Sequence, residues 1–242
     1  MESNRKTVIV TGASQGIGAG VTRAFLARGY NVVANARTAT KSKELSASPQ
    51  LALVDGDIGE LETAHHLADA ALKNFGSIDA VVANAGIFSA KPFTAYTPDD
   101  LRSLVATNVA GFIYVAQLAV KQMHRQKSGG SVVGITAALA DNPIAGLPAS
   151  IPMITKGGLN ALLRSLASEY AKDHIRFNAV APGVVDTPLH AKNPKDFLAT
   201  LSPMGTISTV EDIASAVVYL TEANQVTGEV LHVDGGAHNG KW

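Results

Sequence analysis

The segment Thr11-Gly12-Ala13-Ser14-Gln15-Gly16-Ile17-Gly18 stands between an apolar run at residues 7–11 and the start of a helical pattern. No other feature limits the fold as strongly. Glycines at 12, 16 and 18 allow a tight turn and let a ligand approach the backbone closely. At the N-terminus of the following helix, free N–H groups and the helix dipole favour an anion. Alone, such a turn would equally suit a strand–helix connection with no ligand. In the first strand–turn–helix unit of a chain it reads as a pyrophosphate cradle, with Gly12, Ser14, Gln15, Gly16, Ile17 and Gly18 as binding residues.

The rest of the chain supports that setting. Short Val/Ile-rich runs at 7–11, 31–36, 51–55, 80–84, 131–136, 176–181 and 229–233 alternate with helical patterns. Most of the runs lack in/out polar alternation, as expected for strands covered on both faces. Repeated strand–helix alternation predicts a parallel α/β sheet with right-handed crossovers. A hydrophobic share of 46% with 17% charged residues excludes a disordered chain. The length, 242 residues, suits one domain over 1–242. Residues 188–209, rich in Pro, Lys, Ser and Thr, read as an inserted loop or lid.

Twenty basic residues balance twenty acidic ones, which argues against nucleic acid as a partner. With no cysteine, disulfides and thiol chemistry are excluded, and no His/Asp/Glu cluster has metal-ligand spacing. No Gly-x-Ser-x-Gly elbow supports a serine hydrolase. The N-terminus is polar, and no run approaches the 18 apolar residues of a membrane span. A cytoplasmic protein without a membrane role is expected, with a buried oligomer interface favoured by its high hydrophobicity.

Cofactor preference is readable at the end of the second strand. An NAD site places an acid there for the ribose 2′-hydroxyl. This strand ends Asn35-Ala36-Arg37-Thr38, and no Asp or Glu lies between Gly12 and Lys43. Arg37 offers charge for a 2′-phosphate and Thr38 a hydroxyl, so NADP(H) is expected over NAD(H). Asp57-Ile58 follows the third strand, Asn84-Ala85-Gly86 the fourth, Thr136 ends the fifth, and Pro182-Gly183-Val184-Val185-Asp186-Thr187 follows the sixth. All lie at carboxyl ends of strands, where open α/β sheets bind ligands.

With these segments the chain resembles the short-chain dehydrogenase/reductase family over essentially its whole length. The matching residues are the glycine turn, Asn84-Ala85-Gly86, Thr107-Asn108-Val109, Lys156, Asn178-Ala179-Val180-Ala181-Pro182-Gly183 and residues 227–236. The resemblance implies a Rossmann-type, doubly wound, seven-stranded parallel sheet in order 3-2-1-4-5-6-7, and a homodimer or homotetramer. It implies Asp57 and Ile58 at the adenine, Asn84, Ala85 and Gly86 along the cofactor, Val185 and Thr187 near the nicotinamide amide, and Pro182 and Gly183 among the cofactor-binding residues.

The family's catalytic set is Asn, Ser, Tyr and Lys. Asn108 and Lys156 match it. The tyrosine position, four before Lys156, is Pro152, and the serine position is Ala137, preceded by Thr136. Proline has no side-chain proton and no backbone N–H. Tyr96 is the one tyrosine on a loop that offers a stand-in. Three substitutes stay open: Lys156, also a ribose ligand, donates its own proton or works through a water; Thr136 or Ser150 hydrogen-bonds the oxygen; or the substrate, an iminium or activated alkene, needs no such acid, with Asn108 in support throughout. His190, in the presumed lid, is a candidate to touch substrate. Residues 138–155, with Pro143, Pro148 and Pro152, predict an apolar wall beside the nicotinamide and hence an apolar substrate. Two readings stand: an NADP(H)-dependent oxidoreductase of small carbonyl or alcohol substrates with a non-standard proton donor, or a cofactor-binding protein that has lost catalysis.

Overall fold

The structure is a computed structural model that describes residues 5–46, 48–144 and 146–240. Residues 1–4 of the polar N-terminus and Ala145 of the expected wall lie outside the described residues. Seven parallel strands run β1 (Thr7–Thr11), β2 (Asn31–Ala36), β3 (Leu51–Asp55), β4 (Ala80–Ala83), β5 (Gly130–Ile135), β6 (Ile175–Pro182) and β7 (Val230–Val233). Their order is β3-β2-β1-β4-β5-β6-β7. The registers Thr7↔Asn31, Val8↔Ala80 and Ala80↔Ser131 stagger them so that every carboxyl end meets one rim.

Helices α1 (Gly16–Ala27), α2 (Leu61–Phe75), α3 (Pro98–Val105), α4 (Gly111–Gln126), α5 (Ser150–Glu169), α6 (Lys195–Ala199) and α7 (Val210–Glu222) complete the chain. Two cores flank the sheet. One packs Leu67, Phe112, Val115, Leu159, Leu163 and Phe177 between the sheet and α2, α4 and α5. The other packs Val21, Phe25, Ile213 and Val217 of α1 and α7 against the opposite face. β1 is buried at every position, which explains its unbroken apolar sequence.

Two features bear on the site. α3 and α4 are joined through a wider π-turn at Ala106–Ala110, closed by Gly111 N donating to Ala106 O. The joined helix, Pro98–Gln126, is long and apolar enough by length and composition to cross a membrane, which corrects the expectation that no segment comes near. Its Phe112, Val115, Ala119 and Met123 instead bury against the sheet. The second feature is Pro152, in the first turn of α5. There a missing N–H forfeits no intrahelical bond, so the helix accommodates it. The expected lid folds as a short turn at Pro188–His190 and α6, whose Leu198 is buried. It rejoins the rim through the bridge Val185↔Ser208.

Candidate active site

The glycine turn is shaped by the chain itself. Gly12 and Gly16 hold φ of +65° and +56°. A Cβ on Gly18 would stand 2.2 Å from Gly12 O, and one on Gly12 would stand 2.8 Å from Ala85 Cα. Asn84 straps the turn: its Nδ2 donates to Thr11 O at 2.9 Å and Gly12 O at 3.1 Å. Thr11 Oγ1 in return accepts from Asn84 N and Ala85 N. Ser14 O accepts from Ser42 Oγ at 2.7 Å. Gln15 precedes α1 without a side-chain cap, and no acid occupies the first turn. Exposed N–H groups therefore point out of the turn, and Ile17 packs beneath it.

Across the mouth, a methyl on Gly16 would meet Thr187 Cβ at 3.4 Å. Val185 is buried, while Pro182 and Gly183 close against the end of β7; a Cβ on Gly183 would stand 2.8 Å from Asp234 Cβ. At the tip of β2, Arg37 is exposed, and among the described residues its guanidinium has no hydrogen bond or ion pair. Thr38 is exposed beside it. Asp55, opposite Ala36 in the sheet, turns its carboxylate onto Thr40 N (2.9 Å) and Oγ1 (2.6 Å), and these bonds hold it below the usual carboxylate range. Asp57 Oδ1 accepts from Gly59 N, and Ile58 is buried against α4. At the end of β3 the Asp57 side chain is therefore exposed while the Ile58 side chain is turned into the core.

Lys156, on the first turns of α5, donates from Nζ to Ile135 O at 2.7 Å. Desolvation pushes its ammonium down to about 8. A methyl on Gly86 would lie 3.0 Å from that Nζ and 3.4 Å from Asn108 Oδ1, so the glycine keeps the space before the lysine open. Asn108 is buried in the π-turn and fully used: Oδ1 accepts from Ile87 N at 2.8 Å, and Nδ2 donates to Ile87 O and Thr155 Oγ1, each at 3.0 Å. Thr155 Oγ1 in turn donates a hydrogen bond to Pro152 O at 2.7 Å. Asn108 is thus a positioning residue that fastens the β4 loop to the start of α5.

Thr136 behaves differently from the expectation that its hydroxyl serves substrate. It is buried, and its Oγ1 lies 3.4 Å from Val180 O, facing the neighbouring strand. Tyr96 spends its hydroxyl on Ser89 O at 2.7 Å within its own loop. Thr11 and Thr155, both structural pins of the site, were missed as site residues. A hydroxyl three residues after a proline in a helix start was the available signal for Thr155.

The fold and these contacts can be set beside known proteins. A family model described as Enoyl-(Acyl carrier protein) reductase matches residues 12–238. A 3beta-hydroxysteroid dehydrogenase of Eggerthella lenta is 36% identical, covering 96% of this chain and 93% of its own. The chain belongs to the short-chain dehydrogenase/reductase family. A 3-ketoacyl-(acyl-carrier-protein) reductase of Brucella melitensis, complexed with NADH, superposes with TM-score 0.90 at 26% identity, covering 98% of this chain and 100% of that one. ElxO with NADP bound gives TM-score 0.88 at 28% identity, covering 97% and 99%. In this member of the family, Asn108 and Lys156 both border the space left open at Gly86, and Pro152 is buried in the first turn of α5. A dinucleotide fits the residues present, because the uncapped α1 terminus, the unpaired Arg37 and the open space at Gly86 lie along one rim.

Proposed function

We propose that this chain is an NADP(H)-dependent oxidoreductase acting on a small, apolar carbonyl or alcohol substrate, with Lys156 supplying the proton that a tyrosine supplies elsewhere in the family. One observation carries the reading. Lys156 Nζ is held 2.7 Å from Ile135 O, behind a glycine, with its pKa pushed down to about 8. An ammonium poised near neutral pH is a better acid than one at its ordinary value.

When bound, the cofactor supplies or accepts the hydride. The chain's residues do the rest. The α1 terminus and the turn at Gly12–Gly18 hold the pyrophosphate, and Arg37 and Thr38 hold the 2′-phosphate. The ammonium has three N–H donors, one of them spent on Ile135 O. The other two serve a ribose hydroxyl and the substrate oxygen, and one of them donates the proton during reduction. Asn108 and Thr155 fix the height of α5 and so the reach of that group. Exposed Phe88 and Leu189, with His190 kept neutral more readily by burial, give the cleft an apolar rim. The chain is proposed to work in the cytoplasm as a homodimer or homotetramer.

A second reading, a cofactor-binding protein without turnover, draws on Pro152 and on the Thr136 hydroxyl facing the sheet. The test is NADPH consumption against a panel of aldehydes, ketones and quinones. Turnover that is lost in Lys156→Met with NADPH binding retained supports the first reading. Tight NADPH binding with no turnover on any substrate favours the second.

A further inference from the structure

Away from the cofactor cradle, one cluster of titratable side chains joins stretches of chain far apart in sequence. On β7, His232 Nε2 lies 2.8 Å from Asp141 Oδ2. In the turn after β7, His238 Nδ1 lies 2.9 Å from Asp234 Oδ2. The two imidazoles stack, with centroids 3.9 Å apart and planes 17° apart. Asp234 is buried and also accepts from the backbone N–H groups of Gly236 and His238, at 2.9 and 2.7 Å. Stacked rings that direct their nitrogens to separate carboxylates do not converge on a metal. Among the described residues no group of three His, Cys, Asp or Glu could hold one.

The place of the cluster gives it a task. Along β7, Leu231 and Val233 pack with the α1/α7 core, so His232 projects from the other face, the one that α5 covers. Asp141 closes the turn at Ala138–Ala140, and Ala140 Cβ would lie 4.0 Å from a methyl on Gly157, next to Lys156. The backbone bonds of this stretch are local, such as Asp141 N to Ala138 O and Leu147 N to Ile144 O. Among the described residues, the bonds that tie 138–148 to distant chain are the Asp141–His232 pair and Asn142 Nδ2 to Ala237 O at 3.3 Å. On its other side the same C-terminal turn receives the end of the lid. Gly235 O accepts from Ser202 Oγ and from Met204 N, each at 3.2 Å.

We propose that the stacked Asp141–His232 and His238–Asp234 pairs form a clamp that sets the width of the substrate cleft, pinning the wall after β5 beside Lys156 while the same turn anchors the end of the lid. The four side chains are positioning residues, and their effect on turnover rests on the oxidoreductase reading above. Without the clamp, the segment keeps its local bonds and the Asn142–Ala237 tie, and opens at low cost.

The test is amide hydrogen exchange of the protein without cofactor, comparing wild type with Asp141→Ala, His232→Leu and His232→Gln. The clamp predicts about tenfold faster exchange across residues 137–149 in the first two, with β1 and α1 unchanged. A glutamine side chain keeps an N–H donor for Asp141, so His232→Gln is expected to retain the wild-type protection. Where turnover is measurable, the substrate KM rises in Asp141→Ala while the NADPH Kd holds. Wild-type exchange in both disabling variants, or acceleration spread evenly over the sheet, overturns the clamp. Faster local exchange in a protein that turns over no substrate upholds the clamp and removes the oxidoreductase reading.

Discussion

At the scale of single residues, the proposed chemistry rests on a lysine whose charge the fold makes costly. In the folded chain Lys156 titrates at about 8, against 10.5 for an exposed lysine. Between those values the unfolded chain binds one proton more than the folded one, so stability contributed by this residue rises with pH across that window. Below about 8 both states are protonated and the cost of the buried charge is present in full. Lys156→Met is therefore expected to stabilise the cofactor-free protein at neutral pH and to flatten the rise between about 8 and 10.5, as read by urea unfolding at several pH values. Arg37 is the second decisive residue. If it holds a 2′-phosphate, Arg37→Ala weakens NADPH binding by about tenfold to a hundredfold and leaves NADH nearly unchanged, which paired fluorescence titrations would reveal. The sequence singles out both as candidates, Arg37 from its place at the end of the second strand after the glycine turn and Lys156 from the family resemblance. The orientation of Thr136 was not legible, since whether a hydroxyl at a strand end faces the cleft or the next strand depends on the local twist. The His232–Asp141 pair was equally hidden, because 91 residues separate its members and no spacing rule joins them.

At the scale of elements, the strands were readable as short Val/Ile-rich runs because most are well covered, β1 at every position, although β3 is only half-buried and polar residues such as Arg176 and His232 interrupt β6 and β7. Differences are confined to ends: β4 stops at Ala83, β5 spans Gly130–Ile135, β6 extends over Ile175–Pro182, and β7 begins at Val230. Side-chain bonds and local turns, rather than hydrophobic pattern, decide such ends. The π-turn at Ala106–Ala110 was invisible to a 3.6-residue period, although it is what buries Asn108 in the site. Asn108→Ala would take the partners from Ile87 N and Ile87 O and remove one donor from Thr155 Oγ1, which keeps its bond to Pro152 O, and a loss of about 1–3 kcal/mol in unfolding free energy is expected. Activity should fall further than stability does, because α5 and the β4 loop lose their shared pin. The packing of α5 on β6 gives a control without direct contact to the site. Phe177→Ala removes a fully buried ring and is expected to cost about 3–5 kcal/mol by denaturant unfolding. Its remaining folded fraction should bind NADPH normally.

At the scale of the whole molecule, the sheet brings to one rim groups that arise from Thr11 to Asp234 in sequence, so cofactor binding and folding are coupled. Saturating NADPH at about a hundred times its Kd should add about 2.7 kcal/mol and raise the melting temperature by roughly 5–10 °C for a chain of this size. NADH at equal concentration should raise it less. Balanced charge and the family's fold are consistent with a small-molecule enzyme. Narrower than fold or cofactor is the role proposed for Lys156, as the acid in place of a tyrosine. The measurement that tests it most directly is kcat/KM for NADPH-dependent reduction as a function of pH, in wild type and in Lys156→Met. The account predicts a plateau below pH about 8 and a fall of about tenfold per pH unit above it in wild type, with turnover reduced about 10²–10⁴-fold and that pH dependence gone in Lys156→Met. Undiminished turnover in Lys156→Met, with the wild-type pH profile intact, would contradict it.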